Sequence, residues 1–221
     1  MTALQKRLDE LLKQKQLLEE EIIHLQELLL SEKKEFSKEE KIELFKSLFV
    51  GRLDIYAKKW ISKDLSQERF FPVTQTYRGE DYLPLSNEAI ESHLRGNEQL
   101  ATYPIVQSSW CKFLVLKIIQ EDNYKVQMSL NKYKLNGYFE VTSSNDYKVW
   151  LFFSSLVEAK FAKALGEMIL HNAHVTGEIF PNQEFSNASN LGTYVELPLF
   201  LKHRQNNKTV FVDIIYNHII A

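Results

Sequence analysis

The chain has 221 residues, 44% of them hydrophobic and 25% charged, enough for one buried core with an appendage and too few for several domains. Its 27 Lys and Arg against 29 Asp and Glu leave a formal charge of −2, which argues against a histone-like polycation but is compatible with a local basic groove. A single cysteine, Cys111, excludes a disulfide framework and a cysteine-based zinc site. With no secretory segment and no apolar run near the ~20 residues of a spanning helix, the expectation is a cytoplasmic protein with no membrane association.

Residues 1–33 contain no Gly or Pro and are rich in Leu, Gln, Lys and Glu, which predicts a long helix. Leu8, Lys15, Ile22 and Leu29 take the a positions of a heptad, and Leu4, Leu11, Leu18 and Leu25 the d positions. This is a coiled-coil seam with one polar a residue, Lys15, suited to fixing register. Two readings follow: self-association or pairing with a partner helix, or a helix folded back on its own domain, where Leu12 and Leu28 widen the stripe. Residues 34–40 read as a linker, with Ser37 as N-cap and Glu40 at the capping-box position of the next helix. The globular domain is then 41–221. Within it, Lys41–Trp60 reads as an amphipathic helix or helix pair that Gly51 breaks, and 61–84 as irregular. Asn87–Gly96 reads as a short helix capped by Ser86. Lys112–Gln120 reads as a strand. Tyr138–Val141 and Val149–Phe153 read as two more, joined through the turn Ser143–Asp146. Ser155–Ala173 reads as a helix whose buried side carries Leu156, Phe161 and Met168 among others. Tyr194–Leu199 and Thr209–Ile215 read as strands joined by the basic turn Lys202–Lys208. Mixed helices and antiparallel hairpin signals make the fold class α+β.

Several constellations carry potential chemistry, each with a plainer structural alternative. Glu167, His171 and His174 have metal-ligand spacing on a helix but lack a further acid, so no metal is expected there. Arg52, Lys58, Lys59, Trp60 and Lys63 mix basic and aromatic residues, the composition of a nucleic-acid contact or of an exposed helix face. Lys202, His203 and Arg204 are candidates for phosphate contact or for a solvated turn. Cys111 reads as a packed thiol rather than a nucleophile. No phosphate loop, dinucleotide fingerprint or hydrolase elbow is present.

A set of collinear blocks over about residues 40–216 carries a resemblance. They are LFKSLFVGRLDIYAKKW at 44–60 followed by Ser62-Lys63-Asp64, and YLPLSNEAIESHLRG at 82–96 followed by Tyr103-Pro104. Then come the strand 112–120, KVWLFF at 148–153, Ala164-Leu165-Gly166, FPNQ at 180–183, Gly192 with ELPL at 196–199, and VFVD at 210–213. Together they resemble the primase-type domain of TOTE conflict systems, a branch of the archaeo-eukaryotic primase and primase-polymerase superfamily. That resemblance implies an α+β core with an RRM-like antiparallel sheet, here preceded by a coiled-coil helix. It also implies two-metal nucleotidyl transfer, with an Asp-x-Asp pair on a strand, a His on the next hairpin and a third acid on a later strand.

This sequence departs from the pattern at its centre. Lys117 and Ile119 stand where the two aspartates belong and Lys148 where the His belongs. Of the expected acids only Asp213, in VFVD, is kept, and the family's cysteine-containing loop before YLPL is missing. A cation site with one carboxylate beside an ammonium is a poor one, so no cofactor is expected, Mg or Mn entering only if activity survives. The reading is a catalytically degenerate primase-like protein of a mobile-element or anti-phage conflict system. DNA or RNA is the candidate ligand, with Lys117, Lys148, Arg52, Lys59, Lys63, Lys202 and Arg204 the candidate contacts; the plainer reading is a decayed scaffold that binds no nucleotide, with Lys117 merely solvent-facing. The alternatives are a coiled-coil adaptor for a protein partner and a still-active primase or polymerase.

Overall fold

The computed structural model describes residues 3–31, 36–62, 67–76, 79–187, 190–214 and 218–219. The chain divides into two units, residues 1–41 and 42–221. In the first, α1 (Ala3–Ser31) is one uninterrupted helix. The seam residues Leu4, Leu8, Leu11, Leu18, Ile22 and Leu25 are exposed, and Lys15 pairs with Glu19 one turn on, at 3.5 Å. Ahead of α2 (Lys38–Phe49) the expected capping box forms: the Glu40 amide donates to Ser37 Oγ at 3.1 Å and the Ser37 amide to Glu40 Oε2 at 2.8 Å. Each satisfies a helix-end group that has no partner within the helix.

The helix stops at Phe49, so the expectation of helix through Trp60 is corrected. Gly51 passes so close to the next element that a Cβ there would lie 2.2 Å from the Tyr103 carbonyl oxygen. The chain then enters β1 (Tyr56–Ile61), which pairs with β2 (Glu68–Pro72), inside the segment read as irregular, and with β3 (Leu100–Thr102). Helical spacing of Phe45 and Phe49 reports only the part that docks on the core; beyond it, ladder pairing outweighs the local pattern. With β9 (Val195–Glu196) these strands form a four-stranded antiparallel sheet in the order β2-β1-β3-β9. Helix α3 (Asn87–Leu94) is capped as expected, Ser86 Oγ accepting from the Ala89 amide and Gly96 taking a positive φ of 79° after its end.

A seven-stranded sheet comprises β4 (Ile105–Val106), β5 (Trp110–Ile118), β6 (Tyr138–Val141), β7 (Tyr147–Glu158), β8 (Glu178–Phe180), β10 (Val210–Asp213) and β11 (His218–Ile219). Its order is β11-β10-β6-β7-β5-β4, with β8 also on β5. Its pairings are antiparallel throughout, the class and sheet type the sequence predicts. Both faces of its central strands are covered, which is why β5 reads as a nearly continuous apolar run. On one face Leu114, Leu116, Phe139, Val149 and Leu151 pack with α4 (Asn123–Lys132) and α5 (Ala159–Ala173). On the other, Phe113, Val115, Trp150 and Phe211 meet α2, α3 and residues of the four-stranded sheet. Phe49 anchors α2 there, stacking on Phe211 and meeting Trp150 edge-on.

Three further expectations change. Strand β7 runs on to Glu158, so the helix expected from Ser155 begins at Ala159. It buries Ala159 and Ile169 as expected, together with Ala162, Gly166 and Leu170, whereas Phe161 and Met168 are exposed. Strands β9 and β10 belong to different sheets, so the Lys202–Lys208 stretch is no hairpin turn. It begins as α6 (Leu201–Arg204), a single helical turn. Among the described residues no helix is long and apolar enough to cross a membrane.

Candidate functional site

Antiparallel register places one row of side chains across the large sheet. Phe211 pairs with Glu140, Glu140 with Lys148, Lys148 with Lys117, and Lys117 with Glu178. Directly paired residues share a face, so Lys117 and Lys148 stand side by side. Both border a cleft of about 440 Å³, whose wall also includes Ser143, Ser144, Thr193, Tyr194 and Glu196. The turn before β7 and the FPNQ segment frame it: the Thr193 hydroxyl lies 2.9 Å from Asn182 Oδ1 and 3.1 Å from Gln183 Oε1.

The two lysines are held differently. Lys148 has 8% of its side chain exposed and pairs at 2.9 Å with Glu140, which has none. It also donates to the Glu196 carbonyl oxygen at 2.8 Å, so two of its three N–H donors are committed. The second carboxylate oxygen of Glu140 accepts the Trp150 indole N–H at 2.7 Å. Complete burial pushes Glu140 above the ordinary carboxylate range, against the pull of Lys148 and the indole. Lys117 instead meets Glu178 at 3.2 Å, with 39% and 63% of the side chains exposed. Such a solvated pair contributes at most about 1 kcal/mol and exchanges readily. Of the two cations, Lys117 is therefore the more accessible from the cleft.

The remaining candidates lie in several places. Ile119 sits just past the end of β5, exposed, at the head of the 3-10 turn Gln120–Asp122; the strand ends two residues short of the expected Gln120. Asp122 there is buried and ion-paired with Lys125 at 2.7 Å. Asp213 ends β10 and is not among the described residues lining the cleft. Arg52 lines a separate cavity of about 670 Å³ with Lys112 and Ser108 and grips Asp54 through Nε at 2.9 Å and Nη2 at 2.5 Å. That hydrogen bonding lowers the Asp54 pKa. Lys59 pairs with Glu68 at 2.5 Å on the β1–β2 hairpin, and Lys202 and Arg204 are on α6. Lys63 lies outside the described residues.

Sequence reasoning missed Glu140. The signal was available: the Ser143–Asp146 turn sets Val141 opposite Tyr147 and hence Glu140 opposite Lys148. His93 was also missed. It is fully buried on α3, accepting the Leu100 amide at Nδ1 (3.1 Å) while Nε2 lies 2.8 Å from the Pro198 carbonyl oxygen. Nδ1 is therefore unprotonated and Nε2 carries the proton. Burial lowers its pKa to about 4. Cys111 is buried, and burial raises its thiol to about 11.

Mg²⁺ or Mn²⁺ needs several oxygen ligands in near-octahedral array. Two ammonium groups line the cleft, and the nearby carboxylates are engaged: Glu178 of the lining with Lys117, Glu196 of the lining with Gln99 at 3.2 Å, and the buried Glu140 behind it with Lys148 and Trp150. This donor set does not fit a two-metal centre. Among the described residues no group of three or more His, Cys, Asp or Glu side chains is arranged to hold a metal ion, the Glu167, His171 and His174 set included. No curated protein matches the chain. Residues 40–220 match the family model described as the TOTE conflict system, archaeo-eukaryotic primase domain. That match spans both sheets and the row through Lys117 and Lys148, and so the chain belongs to the archaeo-eukaryotic primase domain family of TOTE conflict systems.

Proposed function

We propose that this primase-related protein is catalytically degenerate and acts in a conflict system by associating with nucleic acid without transferring nucleotides. The observation that carries the reading is the Lys117–Lys148 pair, in register on β5 and β7. These are the positions where the family resemblance calls for an acid and a histidine. Replacing a metal-binding acid by an ammonium removes a ligand of the metal that would bridge a triphosphate to an attacking hydroxyl and leaves a cation that attracts phosphate directly. Lys117 is the first residue assigned to this contact, with Lys148 holding the cleft wall and Arg52, Lys59, Lys63, Lys202 and Arg204 as further backbone contacts. Cytoplasmic location is part of the same reading.

The test pairs two assays. Primer-extension and de novo synthesis with Mg²⁺ or Mn²⁺ are expected to yield no product, and oligonucleotide binding is expected to persist in EDTA. Product formation that disappears in Asp213→Ala would establish an active enzyme instead, and absence of binding under both conditions would refute nucleic-acid association. The exposed heptad seam of α1 favours a second role, self-association or capture of a partner helix. Deleting residues 1–33 is expected to convert an oligomer to a monomer in analytical ultracentrifugation, with nucleic-acid binding per monomer retained. An unchanged number of chains per particle, read from the molar mass, would remove self-association.

A further inference from the structure

One side of the β1–β2 hairpin packs into the core only at its base, through Tyr56 and through Leu100 opposite Lys58, and beyond that base it carries a patch outside the core clusters. Register sets Lys58 opposite Phe71 and Trp60 opposite Arg69, so all four side chains share one side. Cations and aromatics alternate there as in a checkerboard. Each aromatic has a cation directly across the ladder and the other aromatic on the diagonal, the ring centroids of Trp60 and Phe71 lying 6.2 Å apart at 80°. Trp60 is 50% exposed and Phe71 49%. They border a groove of about 600 Å³ that runs along Val73, Thr74 and Tyr82.

From this juxtaposition we infer that the β1–β2 face binds single-stranded nucleic acid by stacking bases on Trp60 and Phe71. The inference rests on the proposed nucleic-acid association and adds its surface and its strandedness. Charge selects the occupant. The two non-aromatic members of this four-residue patch are both cations, while Glu68 pairs with Ile61 and so projects from the opposite side. Arg69 is exposed and makes no ion pair among the described residues. Lys58 pairs with Glu98 in a partly solvated bridge, which a phosphate exchanges readily. A polyanion therefore fits where an acidic or purely apolar protein surface fits only half of the face. The rings also select strandedness, because base faces are open to an aromatic side chain only outside a duplex, and such stacking is sequence-tolerant.

The test is fluorescence anisotropy on the full chain with end-labelled oligothymidylate, oligouridylate, a blunt duplex and an abasic strand of equal charge. Trp60→Ala and Phe71→Ala are each expected to weaken binding to the oligothymidylate at least about fivefold. Trp60→Phe is expected to lose much less, and the abasic strand to be bound equally by the wild type and Trp60→Ala. Arg69→Ala is expected to reduce the slope of log affinity against log salt by about 0.7. The oligouridylate arm reports whether RNA is accepted as well as DNA. On the unmodified chain, photocrosslinks from a 5-bromouridine strand are expected on the peptides holding Trp60 or Phe71, a readout that needs no variant to fold. If the wild type binds the oligonucleotide while both alanine variants are unchanged, or the crosslinks fall only on the Lys117 cleft, this face is not the contact and the association itself stands. If the wild type binds none of the strands, both fall. Preference for the duplex overturns the stacking inference alone.

Discussion

Replacing Lys148 by methionine tests whether the buried row beneath the cleft is a structural pair or a reserve of ligand-binding charge. Glu140 is completely buried and has two donors, Lys148 Nζ at 2.9 Å and the Trp150 indole at 2.7 Å. Lys148→Met leaves the carboxylate with the indole alone. Removing one partner of a buried pair costs about 3–5 kcal/mol, because the other charge stays behind uncompensated, and that is a large part of the ~5–15 kcal/mol that stabilises a domain. With a urea m-value of about 2 kcal/mol/M, the unfolding midpoint at pH 7 should fall by roughly 1.5–2.5 M. The loss has a defined pH dependence. Burial already holds the native Glu140 pKa above its ordinary 4.5, and losing Lys148 raises it further. Stability is then fullest below 4.5, where Glu140 is protonated in both states, and declines as pH rises through the native value. The variant's deficit should accordingly shrink as pH falls. Adding Glu140→Gln keeps an acceptor for the indole and removes the stranded charge, so Lys148→Met/Glu140→Gln should recover most of the loss. A deficit below about 1 kcal/mol at pH 7, or a double variant no more stable than the single one, would refute the reasoning.

His93 offers an independent pH test. Its pKa is lowered from 6.5 to about 4, so the unfolded chain takes a proton that the fold refuses. That contribution is fully present above pH 6.5 and is lost as pH falls towards 4, by about 3 kcal/mol in all. His93→Gln should flatten the urea-midpoint profile between those limits; equal slopes in variant and wild type would disprove it. Gly51→Ala should destabilise by about 1–3 kcal/mol, since the added Cβ meets the Tyr103 carbonyl oxygen and Pro104 Cα, both backbone atoms; a thermal midpoint equal to the wild type's would contradict this. Cys111, buried and with its thiol near 11, should resist iodoacetamide at pH 8 until the chain unfolds. Stoichiometric labelling of the folded protein by mass spectrometry would show the packing argument to be wrong.

Much of this protein was legible residue by residue because its signals are local. The heptad spacing of α1, the Ser37–Glu40 capping box, the Ser86 cap with Gly96 behind α3, and the β6–β7 hairpin around Ser143–Asp146 each depend on groups within a few residues of one another. The α+β class and the family followed from such blocks taken in order. Lys117 and Lys148 were equally visible in the sequence as lysines at positions where the family resemblance calls for an acid and a histidine. What failed depends on partners distant in sequence. Segment Tyr56–Ile61 is a strand because β2 and β3 lie on either side of it, and no local preference of Lys58-Lys59-Trp60 reports that. Strands β9 and β10 look like neighbours around a turn, yet they join different sheets, because β3 and β6 offer each the better edge. The state of the two lysines was likewise decided by tertiary structure alone. Composition counts each as one positive charge, but burial against Glu140 commits Lys148 to the fold, while exposure beside Glu178 leaves Lys117 open to a ligand. Sequence therefore determined which charges stand on the adjacent strands that line the cleft. Only packing, through desolvation and the donors that compensate for it, decided which of them is available.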